Sequence, residues 1–176
     1  MAGLYAPGHY LIVYAMTPDD YFKKVPFNEA DEHTHQCALF CWAAMNFRND
    51  ERLRLLHAIP NGGERNKIVA ARMKAEGTRS GVPDIFLPVP APRHEINDPL
   101  VRIASIYCGL YVEMKRPSAR LKRRPEHKWD TGGVSDVQVE WLNALEGQGY
   151  KVVVCYDWYA AASEIKLYLT GKGLDE

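Results

Sequence analysis

No stretch of this 176-residue chain reaches the ~18–20 consecutive apolar residues of a membrane-spanning helix. The N-terminus also lacks the basic-then-apolar order of a signal peptide, and Leu11-Ile12-Val13-Tyr14 is too short for either role. Cysteine is scarce. The four present (Cys37, Cys41, Cys108, Cys155) lie in apolar stretches without a C-x-x-C pair, so they read as buried thiols of a reducing compartment. Cys37 and Cys41 are four apart, with His33 and His35 upstream, a spacing that would allow zinc on one helix face. The surrounding Ala38-Leu39-Phe40 and Trp42-Ala43 favour instead a buried helix in which cysteine serves as a small hydrophobe. Net charge is absent as well: 22 basic and 22 acidic side chains cancel, so no global field draws the chain to nucleic acid. These absences predict a cytoplasmic protein with no membrane partner.

What is present is a core and a local excess of charge. At 47% apolar and 25% charged, the chain suits one globular α/β domain. Basic residues cluster between 115 and 128: Lys115, Arg116, Arg120, Lys122, Arg123, Arg124 and Lys128 face a single acid, Glu126. Such a run is either a solvated loop or a contact for a phosphate backbone.

Periodicity and chain breakers divide the sequence. Residues 1–30 carry Pro7, Gly8, Pro18 and Pro26 around short apolar patches and read as an extended arm or small hairpin. A helix is expected over 31–48 with Asp31 as N-cap, a strand over 54–59 ended by the Pro60-Asn61-Gly62-Gly63 turn, and a helix over 64–76 stopped by Gly77. A strand at 85–89 precedes a proline-rich irregular excursion, then a strand at 106–115 and a basic loop to 134. A helix over 135–146 capped by Ser135, a strand over 150–156 and a helix over 158–170 complete the domain, leaving 171–176 as a tail. This order predicts a mixed sheet with helices on its faces.

One pattern carries chemistry. Gly81-Val82-Pro83-Asp84 opens the apolar segment Ile85-Phe86-Leu87, and Tyr111-Val112-Glu113-Met114-Lys115 follows later. Strand side chains alternate, so Glu113 and Lys115 share a face while Val112 and Met114 point the other way. If the two segments pair, Asp84 comes beside Glu113. Two carboxylates at one point of a sheet suit a hard divalent cation, and the neighbouring ammonium can orient water or balance phosphate charge. An E-x-K on an exposed strand could equally be a solvated ion pair. The apolar flanks on both strands point to a central position, where charge is costly unless it is used.

Six ordered blocks now resemble one family. They are Glu32-x-x-x-Gln36; Leu56 to Gly63; Ala75 to Asp84; Tyr111 to Pro117; Ser135 to Leu142; and Gly149 to Cys155. The stretch from about Glu32 to Leu169 is similar to the virus-type replication–repair nuclease (VRR-NUC) domain, a branch of the PD-(D/E)xK nucleases. The resemblance implies a restriction-endonuclease-like α/β fold: a mixed central sheet flanked by helices, forming a nuclease domain over 31–170. It implies metal-dependent hydrolysis of DNA phosphodiesters, with Asp84, Glu113 and Glu32, together with the Met114 carbonyl, holding Mg²⁺ or Mn²⁺. Lys115 would act in catalysis and Gln138 would place water or phosphate. Asn61, Arg116, Arg120, Lys122, Arg123, Arg124 and Lys128 would contact DNA, and Trp129 could stack on an unpaired base. His35 stands where relatives often carry an acid. Branched DNA of the four-way (Holliday) junction type, cut by a homodimer, is the expected substrate, since one E…D…ExK set cuts one strand at a time. A degenerate binding module, a flap nuclease or exonuclease, and another phosphodiesterase acting on DNA or RNA remain alternatives.

Overall fold

Alternation in Leu110-Tyr111-Val112-Glu113-Met114 makes a strand with two different faces, and the molecule is built around it. The computed structural model describes residues 16–60, 67–121 and 132–175. Its strands are β1 (His57–Ala58), β2 (Ile85–Leu87), β3 (Ala91–Pro92), β4 (Ile106–Tyr107), β5 (Leu110–Met114) and β6 (Lys151–Cys155). Its helices are α1 (Glu32–Asn46), α2 (Lys67–Ala75), α3 (Pro99–Ala104), α4 (Asp136–Gly147) and α5 (Trp158–Thr170). The main sheet has the order β1-β2-β5-β6, antiparallel except for the parallel pair β5–β6. A parallel pair needs a crossover, and α4 supplies it.

Leu110, Val112 and Met114 point into one layer, where they pack with Ile85, Leu87, Leu39 of α1 and Ala161 and Ile165 of α5. Tyr111 and Val154 point into the opposite layer, against Leu142, Val139 and Leu145 of α4. Each fully buried aliphatic side chain stabilises the fold by about 1.5–3 kcal/mol, so this two-layer core fixes the β5 register. Caps set the helix starts. Asp31 accepts from the Thr34 amide at 2.8 Å, and Asp157 from the Ala160 amide at 2.7 Å.

Several boundaries differ from the sequence expectation. The strand expected over 54–59 is a 3₁₀ turn at Glu51–Leu55 and only two residues of β1. Asp50 caps the turn through the Arg52 amide, and Leu53 and Leu56 are buried at a spacing of three rather than in alternation. The strand expected over 106–115 is broken at Cys108-Gly109, where a Cβ on Gly109 would sit 2.8 Å from the Phe86 ring. The excursion is ordered: β3 pairs with β4 (Ala91 opposite Tyr107), and α3 lies between them. Cys108 is exposed rather than buried, and Cys37 is half-buried.

Of the arm or small hairpin expected over 1–30, residues 1–15 lie outside the described residues, and 16–30 form two 3₁₀ turns (Pro18–Phe22 and Phe27–Glu29) packed against α1. His35 is why. It is buried between the Phe22 and Phe27 rings, and its Nδ1 accepts from the Trp158 amide at 3.4 Å. That leaves Nε2 as the N–H that donates to the Phe27 carbonyl at 3.1 Å. His35 is therefore a neutral packing residue, its pKa lowered by burial.

Candidate active site

The β2–β5 register places Ile85 opposite Val112, so the next residue along, Asp84, reaches Glu113 at the end of the pair. Asp84 Oδ2 accepts from the Met114 amide at 2.9 Å, and its carbonyl accepts from the Ile59 amide at 2.7 Å. One acid thus ties three strand segments together. Glu113 and Lys115 project from the same face of β5 and are 0% and 6% exposed, with Lys115 Nζ 2.5 Å from Glu113 Oε1. The Lys115 amide donates to the Cys155 carbonyl at 2.8 Å, continuing the ladder with β6 past the strand end.

The amide of Gln138 donates to the same Glu113 Oε1. Its own oxygen accepts from the Ser135 amide at 2.9 Å, while Ser135 Oγ accepts from the Gln138 amide at 3.3 Å. This is a reciprocal N-terminal cap. It orients the side-chain amide so that its NH₂ faces the carboxylate. Gln138 therefore braces Glu113 instead of presenting a free amide to water or phosphate. Glu113 Oε2 is buried and has no hydrogen-bond partner among the described residues.

Electrostatics follow from this crowding. Burial, then the neighbouring Asp84, pushes the Glu113 carboxyl up to about 8. Burial raises Asp84 too, and Glu32 adds to it. Burial works against the Lys115 ammonium, but Glu113, Glu32 and Asp84 hold it above its ordinary value. The cluster holds more negative than positive charge in little water, a condition that favours a proton or a cation.

Other expected site residues fall in different places. Glu32 is exposed at the start of α1, in the opposite layer, yet close enough to act electrostatically on Asp84, Glu113 and Lys115. Among the described residues, no three His, Cys, Asp or Glu side chains form a ligand cluster. Met114 buries its side chain in the core. Arg116 lines a groove with Asp31, Glu32, His33, Ala119 and Gly133, directly beyond Lys115. Arg120 is exposed on the 3₁₀ turn Pro117–Leu121, 5.9 Å from the Tyr156 ring centre. Asn61, Lys122, Arg123, Arg124, Lys128 and Trp129 lie outside the described residues. Of the zinc candidates, His33 meets Cys37 (Nε2 to Sγ 3.6 Å), and Cys41 donates to the Met16 carbonyl.

Sequence reasoning missed the supports. Ser135 was legible as a cap, but its part in aiming Gln138 at Glu113 was not. Trp141 Nε1 donates to the Ser80 carbonyl at 3.1 Å, and a Cβ on Gly81 would lie 2.6 Å from Val137 Cγ1. One helix face thus holds both the turn before Asp84 and the carboxylate of Glu113. The Gly81-x-x-Asp84 spacing was the available signal.

Comparison with known proteins identifies the fold and the family. A solved structure described as a VRR_NUC domain protein aligns over 79% of this chain and 88% of its own, with a TM-score of 0.51 at 19% identity, a likeness of fold. No curated protein matches the sequence. The sequence of residues 28–158 matches the VRR-NUC domain family. With most of its length covered by that match, the chain belongs to the VRR-NUC domain family, a family of nucleases that act on DNA.

Proposed function

We propose that this protein is a Mg²⁺- or Mn²⁺-dependent, structure-selective DNA endonuclease that hydrolyses phosphodiester bonds in branched DNA. Four-way junctions are its main substrate and a homodimer is its working form. The observation that carries the reading is the buried Asp84–Glu113–Lys115 cluster, in which Glu113 Oε2 meets no partner among the described residues. Removing such charges from water costs several kcal/mol per ion, and a sheet kept only for stability would do better with apolar residues. A carboxylate oxygen left bare in a site with excess negative charge fits a hard cation. Asp84, Glu113, the Met114 carbonyl and Glu32, reaching from the groove, would hold it. The chemistry such an ion supplies when bound is a lowered water pKa and withdrawal of charge from phosphoryl oxygens.

The chain's own groups do the rest. Lys115 places an ammonium where negative charge accumulates at the scissile phosphate and where the attacking water must be oriented. Gln138 and Ser135 hold Glu113 in one rotamer, so the carboxylate does not reorganise during the reaction. Arg116 and Arg120 offer cations to the flanking phosphates, and Arg116 lies beside Lys115 in the groove.

The test is cleavage of a labelled panel of four-way junction, splayed-arm, flap and duplex DNA, with RNA as competitor. Asp84→Ala should abolish Mg²⁺-dependent cleavage, and Lys115→Ala should lower kcat by about 10²–10³-fold. Near-wild-type cleavage by either variant would refute the assignment. Preference for duplex ends or RNA would replace the substrate while keeping the site.

A further inference from the structure

A second cleft lies alongside the candidate active site. Its volume is about 250 Å³, and it is lined by Tyr21, His33, Gln36, Cys37, Phe40, Cys41 and Ala58. Both of its walls begin at the catalytic groups. On the helix wall, Gln36 lies one turn after Glu32, the acid whose charge acts on Asp84 and Glu113. On the sheet wall, Ala58 pairs with Ile85, the residue after Asp84. His33 lines both this cleft and the groove that holds Arg116, so the two hollows meet at the start of α1.

The lining has a definite chemistry. Tyr21 and Phe40 are half-buried aromatic rings. Gln36 is half-buried, and its amide makes no hydrogen bond to another described residue. Among the described residues no carboxylate or ammonium lines the cleft, so it does not suit a phosphate or a hard divalent cation, and the Cys41 thiol is already turned to the Met16 carbonyl. Flat aromatic surface beside an amide that can donate and accept suits a nucleobase, through stacking and edge recognition. A base within a duplex has its edge paired and its faces stacked, so only an unpaired or extruded base can enter.

We propose that this cleft is a nucleobase subsite, taking one unpaired base of the strand that passes through the active site, next to the bond that is cut. This rests on the nuclease reading above and gives a physical basis for selecting branched DNA, whose branch points interrupt stacking and so lower the cost of extruding a base. Tyr21 and Phe40 stack on the base and Gln36 bonds its edge. Arg116, in the adjoining groove, meets the phosphates of the same strand.

The experiment places 2-aminopurine in turn at the three nucleotides on each side of the cut in a four-way junction, with the full-length protein and EDTA. Stacking should quench fluorescence at one position, and Tyr21→Ala and Gln36→Ala should each remove that quench, with thermal unfolding confirming that both variants fold. In cleavage assays with Mg²⁺, an abasic nucleotide at that position should raise KM about tenfold for the wild type. It should have no further effect on either variant. Absence of quenching at every position, quenching that survives both variants, or simple additivity of the abasic and protein changes would overturn the subsite. Failure of the wild type to cleave any DNA would instead strike the nuclease reading, since the fluorescence measurement needs no turnover.

Discussion

Glu113 is the residue where stability and function conflict. Its carboxyl is raised from an ordinary 4.5 to about 8, by burial first and by Asp84 second. A folded value above the unfolded one means that the native state binds the proton more tightly. The stabilisation from that proton is complete below about pH 4.5 and is lost as pH rises through about 8. Asp84, also raised, acts in the same direction. The metal-free protein is therefore expected to lose thermal stability steadily between about pH 5 and pH 8, and Glu113→Gln should flatten that slope. Mg²⁺ or Mn²⁺ should restore wild-type Tm mainly at the alkaline end, where cation and proton no longer compete. Unfolding curves in EDTA and in Mg²⁺ across this range check it. A wild-type slope unchanged by Glu113→Gln would place the titrating group elsewhere. The sequence showed that Glu113 and Lys115 share a face. It did not show that Oε1 takes Gln138 as a second donor while no described residue meets Oε2, because that donor depends on how α4 docks.

At the scale of elements, α4 is the brace of the site. Gln138 in its first turn holds Glu113, and Val137 in the same turn with Trp141 in the next holds the turn before Asp84. Gly81 lets the two meet: its φ of +85° suits glycine, and the space for a Cβ is already filled by Val137. Gly81→Ala should cost about 2–4 kcal/mol from left-handed backbone and overpacking together. That corresponds to a Tm lower by about 5–15 °C in a protein of this size, with cleavage reduced at temperatures where the fold persists. Gly77 is the control: its φ is +99° but nothing lies within 4 Å of the point a Cβ would occupy, so Gly77→Ala should carry the backbone strain alone and keep activity. Equal effects of the two substitutions on Tm and cleavage would remove the brace. Elements with a strong local signal were legible, namely α1 with its Asp31 cap, α4 with Ser135, and α5 over the same residues as expected. The short strands were not. Two-residue pairs such as β1, β3 and β4 are made by distant partners, and proline or glycine beside them reads locally as irregular chain.

For the whole molecule, the α/β class followed from the sequence, while the order β1-β2-β5-β6 depends on pairings too distant to be read locally. The excursion between β2 and β5 has the same origin, and it bears on assembly. There α3 and β4 expose Leu100 (80%), Val101 (49%) and Ile106 (53%) on one stretch of chain. Phe22, by contrast, is committed to packing with Phe27 and His35, and Tyr5, Tyr10, Leu11, Ile12, Val13 and Tyr14 lie outside the described residues. A chain with one catalytic set makes one cut, whereas resolving a four-way junction needs two opposed cuts, which a two-fold dimer provides. The exposed aliphatic stretch on α3 and β4 is the surface such a dimer would bury. Light scattering at micromolar concentration should then give twice the 20.0 kDa mass of the chain. Leu100→Glu with Val101→Glu should halve that mass and turn paired junction cleavage into slow, single-strand nicking, with Asp84, Glu113 and Lys115 untouched. A species of 20.0 kDa that still resolves junctions by paired cuts would remove the dimer and its rationale together.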